Sequence, residues 1–316
     1  MAYKAALLFC FNPGSMHFSA IYCDCVFTMF LFIGLYHLYN SKNYLDQGPI
    51  LKASFFFFFA SWTRANGSFN LFFIGVRCLH ILVKIMVDNK YQIFSIIKRV
   101  IPYIPIGLFS LLCLAGPYFA HMYYLASIYC HDLPTKMLDY TKPSYCYDGF
   151  WTGYAYLQRA FFGVVPFAGH NIFNIFADYR VFPIVIYYFV FMVKLLFRQP
   201  AEVLFMGIPS VIDEKAVETS KPGNDFLKSP MVAPFFWISL VNWWAMVYNS
   251  HLINATRIYC QNPLLYWYAA SMLAGGNPLE HGKKPDFSIS RHWVLIYFVG
   301  RWIVGGVIYG GYSPWF

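Results

Sequence analysis

Charge is what this sequence has least of. Only 12% of its 316 residues are Asp, Glu, Lys or Arg, about half of the roughly 25% found in an average soluble domain. Hydrophobic residues make up 59% and aromatic residues 22%, with a mean hydropathy of +0.48. A chain so poor in charge cannot coat itself with polar groups, so a water-soluble globular protein is excluded. Alternation is missing too: runs such as 21–38 and 293–309 are apolar at successive positions. The in-and-out segments of about ten residues that build a membrane barrel are therefore absent, and helices remain as the way to cross lipid. Dense basic clusters are also lacking. The 23 Lys and Arg against 14 Asp and Glu give a formal charge of +9, but the cations lie scattered between apolar runs. That excludes a nucleic-acid footprint and points to membrane topology.

The eight cysteines, Cys10, Cys23, Cys25, Cys78, Cys113, Cys130, Cys146 and Cys260, show neither a zinc-ligand spacing nor a compact disulfide framework. Most of them read as membrane-buried thiols. A signal peptide is not evident, because Leu7 to Phe11 before Asn12-Pro13 is too short for its apolar core. This stretch reads as the tail of a longer helix.

What is present is a succession of apolar segments. They predict an all-α, multi-pass membrane protein forming a single transmembrane domain over 1–316, with an N-terminal stub and about eight spans. The spans are expected near 17–38, 50–63, 68–87, 100–127, 181–197, 231–249, 263–275 and 292–312. Several are short or carry proline (Pro102, Pro105, Pro117, Pro263), as kinked or half-buried helices inside a bundle do. Sorting the basic residues of the connections gives an orientation. One alternate set holds eleven, namely Lys42, Lys90, Lys98, Arg99, Arg198, Lys215, Lys221, Lys228, Lys283, Lys284 and Arg291. The other holds six, Arg64, Lys136, Lys142, Arg159, Arg180 and Arg257, four of them in one long loop. The richer set is read as cytosolic, which places the loop 199–230 there as a solvated connector and the loop 128–180 on the lumenal side.

The unusual polar residues then gather on one face. Tyr22-Cys23-Asp24 follows Asn12-Pro13-Gly14-Ser15 and sets a carboxylate inside an apolar helix, where Asp costs up to about 3 kcal/mol and so needs a partner or a task. Arg64-Ala65-Asn66-Gly67 offers a guanidinium fork, an amide and a glycine between two spans, a set suited to gripping phosphate; a snorkelling arginine at a turn is the plainer alternative. The loop 128–180 brings Asp132, Asp139, Asp148 and Asp178 together with Trp151, Tyr154, Tyr156 and Gln158, aromatic faces and polar groups of the kind that hold a sugar ring, or that line an amphipathic lid. His251, Arg257, Tyr266 and Trp267 place a second cation on the same face. No compact His, Cys or carboxylate spacing predicts a metal.

Taken together, these segments resemble the GPI mannosyltransferase 2 (PIG-V type) enzymes of the endoplasmic reticulum. The likeness is carried by Leu8-Phe9-Cys10-Phe11-Asn12-Pro13-Gly14-Ser15 with Tyr22-Cys23-Asp24, where Asp24 stands for the family's glutamate, and by Arg64-Ala65-Asn66-Gly67. Tyr154-Ala155-Tyr156-Leu157-Gln158, the segment His251 to Arg257 with Pro263-Leu264-Leu265-Tyr266-Trp267, and the terminal Ser313-Pro314-Trp315-Phe316 continue it in the family's order; the region 159–180 departs from it. The resemblance implies a GT-C type glycosyltransferase bundle in the endoplasmic reticulum membrane with its site facing the lumen. Its reaction would be transfer of the second, α1,6-linked mannose from dolichyl-phosphate mannose to the GPI-anchor precursor. No cofactor, metal or nucleotide sugar is implied, and the partners are the two glycolipids, the bilayer and room for a small membrane subunit.

By the same resemblance Arg64, Asn66 and Arg257 bind the donor phosphate, and Asn12, Tyr22, Tyr154, Tyr156, Gln158, His251, Tyr266 and Trp267 contact substrate. The family opens with a further helix and a lumenal loop bearing its acidic general base, and this chain starts after that point. Asp24 is therefore the catalytic candidate within the chain, and the activity of the chain alone stays open. A catalytically inactive scaffold for lipid-linked glycans and a polytopic transporter are the competing functions.

Overall fold

The computed structural model describes residues 2–11, 23–41, 45–131, 146, 149, 156, 182–212, 232–249, 260–273, 293 and 295–303. Among these residues the structure is helical, with no strand. The helices are α1 (Ala2–Cys10), α2 (Cys23–Tyr39), α3 (Gly48–Thr63), α4 (Leu71–Asp88), α5 (Ile93–Val100), α6 (Ile104–Ala126), α7 (Phe182–Arg198), α8 (Pro200–Leu204), α9 (Ile208–Ile212), α10 (Val232–Asn249) and α11 (Pro263–Leu273), followed by helical residues 295–303. Short 3-10 turns, Ala65–Asn70 and Ile101–Tyr103, precede α4 and α6. Two helical runs, Asn66–Asp88 with 23 residues and Ile93–Ala126 with 34, are long and apolar enough to cross a bilayer. Large apolar side chains such as Leu108, Leu112 and Phe119 stand exposed on α6, as they do where the solvent is lipid.

The chain divides into two compact units. One comprises residues 26–75 and 100–168, the other 1–25, 76–99 and 169–316. In the first of these, α3 packs against α6. The buried positions of α3 are Ile50, Ala53, Ser54, Phe57, Ala60 and Ser61, a spacing of three and four that lines one face. Four of the six are small, which lets two backbones approach, the main source of helix association where burial in lipid drives little. Ser54 donates to Ser110 Oγ across the seam at 2.7 Å, and Ser110 donates to the Ile106 carbonyl. Pro49 lies in the first turn of α3, where its missing N–H costs nothing.

In the other unit α1 packs on α11, and α10 packs on α7, α8 and α11. The core holds Leu264, Leu265, Ala269 and Ala270 of α11 with Phe191, Leu195 and Phe235. Rings interlock around it: Phe9 meets Tyr266 edge-on at 5.3 Å, Phe235 meets Trp267 at 5.1 Å, and Phe191 lies 4.0 Å from Tyr268. Pro263 opens α11 instead of breaking it, because Asn262 caps the helix by accepting the Leu264 N–H at 2.9 Å.

Several expectations are corrected. The connector 199–230 begins as packed helix: Val203 and Val211 are buried, and Trp237 Nε1 donates to the Val203 carbonyl at 2.8 Å. Its first part is apolar enough to join the core, a pattern hidden by the charged stretch that follows. Cys130 is disulfide-bonded to Cys146, so these two are not free thiols. The segment expected over 100–127 holds the turn Ile101–Tyr103 and α6, and a helix that was not expected, α5, precedes it.

Candidate functional site

The unit of residues 26–75 and 100–168 carries the Arg64-Ala65-Asn66-Gly67 stretch. α3 ends because Arg64 turns extended, with φ −151° and ψ 141°, while Thr63 Oγ1 donates to the Ala60 carbonyl at 2.8 Å. The chain then coils into the 3-10 turn Ala65–Asn70 and lies back on α3 and α6. Gly67 makes that return possible. A Cβ there would stand 2.5 Å from Ser61 Cα and 2.7 Å from the Ala60 carbonyl carbon, so only hydrogen fits. Its N–H donates to the Arg64 carbonyl at 2.9 Å, and Ser68 Oγ donates to the Leu114 carbonyl at 3.0 Å. The turn is thus fixed to both helices.

This framework holds the Arg64 guanidinium 5.7 Å from the centre of the Phe27 ring, a cation-π distance that keeps the charge beside an apolar face. Three polar atoms near it in sequence, Ser61 Oγ, Asn66 Oδ1 and Asn70 Nδ2, are buried with no hydrogen-bond partner among the described residues. Buried polar groups are nearly always hydrogen-bonded, and leaving one unmade costs roughly 1–3 kcal/mol. Their concentration in one ten-residue stretch is what a site for a polar ligand requires. Ser61 and Asn70 were not singled out in the sequence, because nothing in a residue's type reveals that its hydrogen bond goes unmade.

The other unit contains Asp24. Its side chain is 0% exposed and accepts a hydrogen bond from Gln261 Nε2 at 2.8 Å. Next along the chain, Asn262 Nδ2 donates to Ser239 Oγ at 2.8 Å, and the Tyr266 hydroxyl donates to the Cys260 carbonyl at 2.6 Å. A buried polar seam results, in which an acid read as an intramembrane cost has an amide donor 237 positions away. Asp24, the base expected within the chain, is thus fully buried with one oxygen engaged by Gln261, whereas a base has to come within hydrogen-bond reach of the acceptor hydroxyl. Tyr266, expected at the substrate, is likewise buried with its hydroxyl spent on backbone. Trp267 is half-buried against Phe235, and Tyr156 is half-buried.

Asn12, Tyr22, Tyr154, Gln158, His251 and Arg257 lie outside the described residues. Among the described residues no three His, Cys, Asp or Glu side chains are grouped as metal ligands would be.

Among the described residues outside the apolar helices, Glu202 on α8 is a titrating group that the fold perturbs. Burial pushes its carboxyl above the ordinary range, opposed by hydrogen bonds from the Ser210 hydroxyl and backbone. The tight link to α9 depends on Gly207, at φ 82°, whose N–H donates to the Glu202 carbonyl at 2.7 Å.

Comparison with known proteins supplies the identity. The family model described as mannosyltransferase (PIG-V) matches residues 1–316. The chain is 20% identical over 366 residues to the GPI alpha-1,6-mannosyltransferase 2 of Cricetulus griseus, covering 99% of this chain and 70% of that protein. The Homo sapiens protein of the same name is 20% identical over 362 residues and the Rattus norvegicus one 20% over 365, with the same shares covered. No solved structure matches the chain. The chain belongs to the PIG-V mannosyltransferase family, and is thus a glycosyltransferase.

Proposed function

We propose that this protein transfers the second, α1,6-linked mannose of the GPI-anchor core from dolichyl-phosphate mannose to the GPI precursor, on the lumenal face of the endoplasmic reticulum membrane, within a GT-C type bundle of about eight spans. The observation that carries the reading is the Arg64–Asn70 turn. It sets a cation, a ring and orphaned amide and hydroxyl groups at the end of an apolar helix. A lipid-linked phosphate presents its charge at that level of a membrane, and a nucleotide sugar does not need an apolar approach. The names of the matched relatives supply the linkage, and the Cys130–Cys146 disulfide suits an oxidising lumen on the side expected for loop 128–180.

In this reaction the acceptor hydroxyl attacks the anomeric carbon, the bond to the phosphate oxygen breaks, and the hydroxyl proton passes to a carboxylate. Charge builds on the departing dolichyl phosphate. Arg64, with Asn66 beside it and Arg257 on the second cation-bearing segment, stabilises that charge; a guanidinium fork held in place by packing acts without reorganising. Tyr154, Tyr156, Gln158, His251 and Trp267 are assigned to the sugars. Asp24 has two readings, the base within this chain or the buried acceptor for Gln261, and its burial favours the second.

The test uses membranes from cells lacking their own second-mannose transferase, supplied with this protein and labelled dolichyl-phosphate mannose. The expected product is a two-mannose GPI precursor whose label an α1,6-mannosidase removes. Label arriving from a nucleotide sugar while dolichyl-phosphate mannose synthesis is blocked would overturn the proposal.

A further inference from the structure

The helix α5 has no buried residue, yet it is neither polar nor loosely attached. Ile93, Phe94 and Ile97 stand exposed with Ile101 beyond them, Phe94 to 91%. At 3.6 residues per turn, Ser95, Lys98 and Arg99 fall within an arc of about 100°, and the apolar side chains fill the remainder. Its start is pinned. Lys90 and Tyr91, at φ 46° and 61°, turn the chain sharply out of α4, and Ser95 Oγ donates to Asn89 Oδ1 at 2.7 Å.

Length sets where this helix can lie. α6 has 23 residues, more than the roughly 20 that cross the hydrocarbon core, so a span does not need α5. The turn Ile101–Tyr103 with Pro102 separates α5 from α6, and the cations precede it. From Asn89 to Ala126 the sequence has Lys90, Lys98 and Arg99 but no Asp or Glu. A segment with a wide apolar face, two cations on the other face and no acid is complementary to a negatively charged membrane surface, and a water-facing or protein-covered helix gains nothing from that pattern.

We infer that Ile93–Val100 is an interfacial helix whose apolar face enters the acyl boundary while Lys98 and Arg99 bind the headgroups of anionic phospholipids. It is a lipid-binding site distinct from the Arg64 turn and independent of the reaction assigned to it. Each Lys or Arg at such a surface contributes about 1 kcal/mol, or about fivefold in local lipid preference.

The experiment places a photoreactive benzophenone side chain at Phe94 in the whole protein, reconstituted in bilayers of phosphatidylcholine with a minor share of phosphatidylserine. The expected adducts are phospholipids, with phosphatidylserine enriched at least fivefold over its bulk share and returned toward that share by K98Q/R99Q. Adducts to protein would mean a subunit covers the face and would overturn the inference. So would an absence of adducts, which marks a water-facing helix, or lipid adducts at the bulk ratio in the unaltered protein. Crosslinking from the same probe at Leu112, exposed on α6, verifies that each preparation is embedded.

Discussion

The replacement Gly67→Ala asks whether the turn that carries Arg64 works by close approach. Gly67 is not among the glycines of positive φ, so alanine is tolerated by the backbone and the difficulty is one of space alone. The added methyl would meet Ser61 Cα at 2.5 Å, Ser61 N at 2.6 Å and the Ala60 carbonyl carbon at 2.7 Å. These are backbone atoms that no rotamer change can move, and carbon atoms prefer about 3.5–4.0 Å. The turn must therefore lift from α3 by about 1 Å. Overpacking of this kind costs roughly 1–3 kcal/mol of stability. The displacement is felt at Arg64 through the bond from the Gly67 N–H to its carbonyl, and a misplacement of about 1 Å at a positioned group can cost about 10²-fold in rate. Gly75→Ala is the control, because nothing lies within 4 Å of its added methyl and a helix interior gains roughly 0.5–1 kcal/mol from alanine. Mannose transfer and membrane abundance are measured for both. The expected result is transfer by Gly67→Ala reduced at least tenfold per unit of protein, with Gly75→Ala unchanged. Equal transfer by the two would refute the link between close approach and function.

Other outcomes follow from other contacts. Asp24→Asn keeps an acceptor oxygen for Gln261, so transfer should remain within a few-fold of the parent; a catalytic base would lose about 10² to 10⁴, and Asp24→Leu should lower abundance. Because Glu202 holds its proton more tightly folded than unfolded, the folded protein binds more protons above the ordinary carboxyl range, and stability declines as pH rises through the raised value. Glu202→Gln should abolish that decline, seen as a melting advantage that grows from acidic to neutral pH in detergent. The Cys130–Cys146 bond should shield both thiols, so that an impermeant maleimide labels them only after reductant is added from the lumenal side; labelling without reductant contradicts the pairing.

The helical character and most helix positions were legible, because apolar runs in a chain with so little charge allow little else. α7, α10 and α11 lie within two residues of their expected bounds. The misreadings share a cause. Lys90, Lys98 and Arg99 marked the stretch between two apolar runs as a connection and hid α5, and the charged stretch after Ile212 made the packed α8–α9 pair look like part of a solvated loop. The candidate site was legible only as a motif at Arg64 and Asn66, whose residue types suggest phosphate binding. Gln261 was not, since an amide 237 positions from its carboxylate becomes meaningful only when the chain is folded.

The proposed donor is a lipid-linked mannosyl phosphate, gripped by the Arg64 turn. Retention of labelled dolichyl-phosphate mannose by the purified protein in nanodiscs, with unlabelled competitors, tests this most directly. The expected result is saturable retention, displaced by dolichyl phosphate and not by GDP-mannose. It should weaken at least tenfold in Arg64→Lys, which keeps the charge and loses the planar fork. Displacement by GDP-mannose at similar concentrations, or equal retention by Arg64→Lys at equal protein, would contradict the proposed donor site.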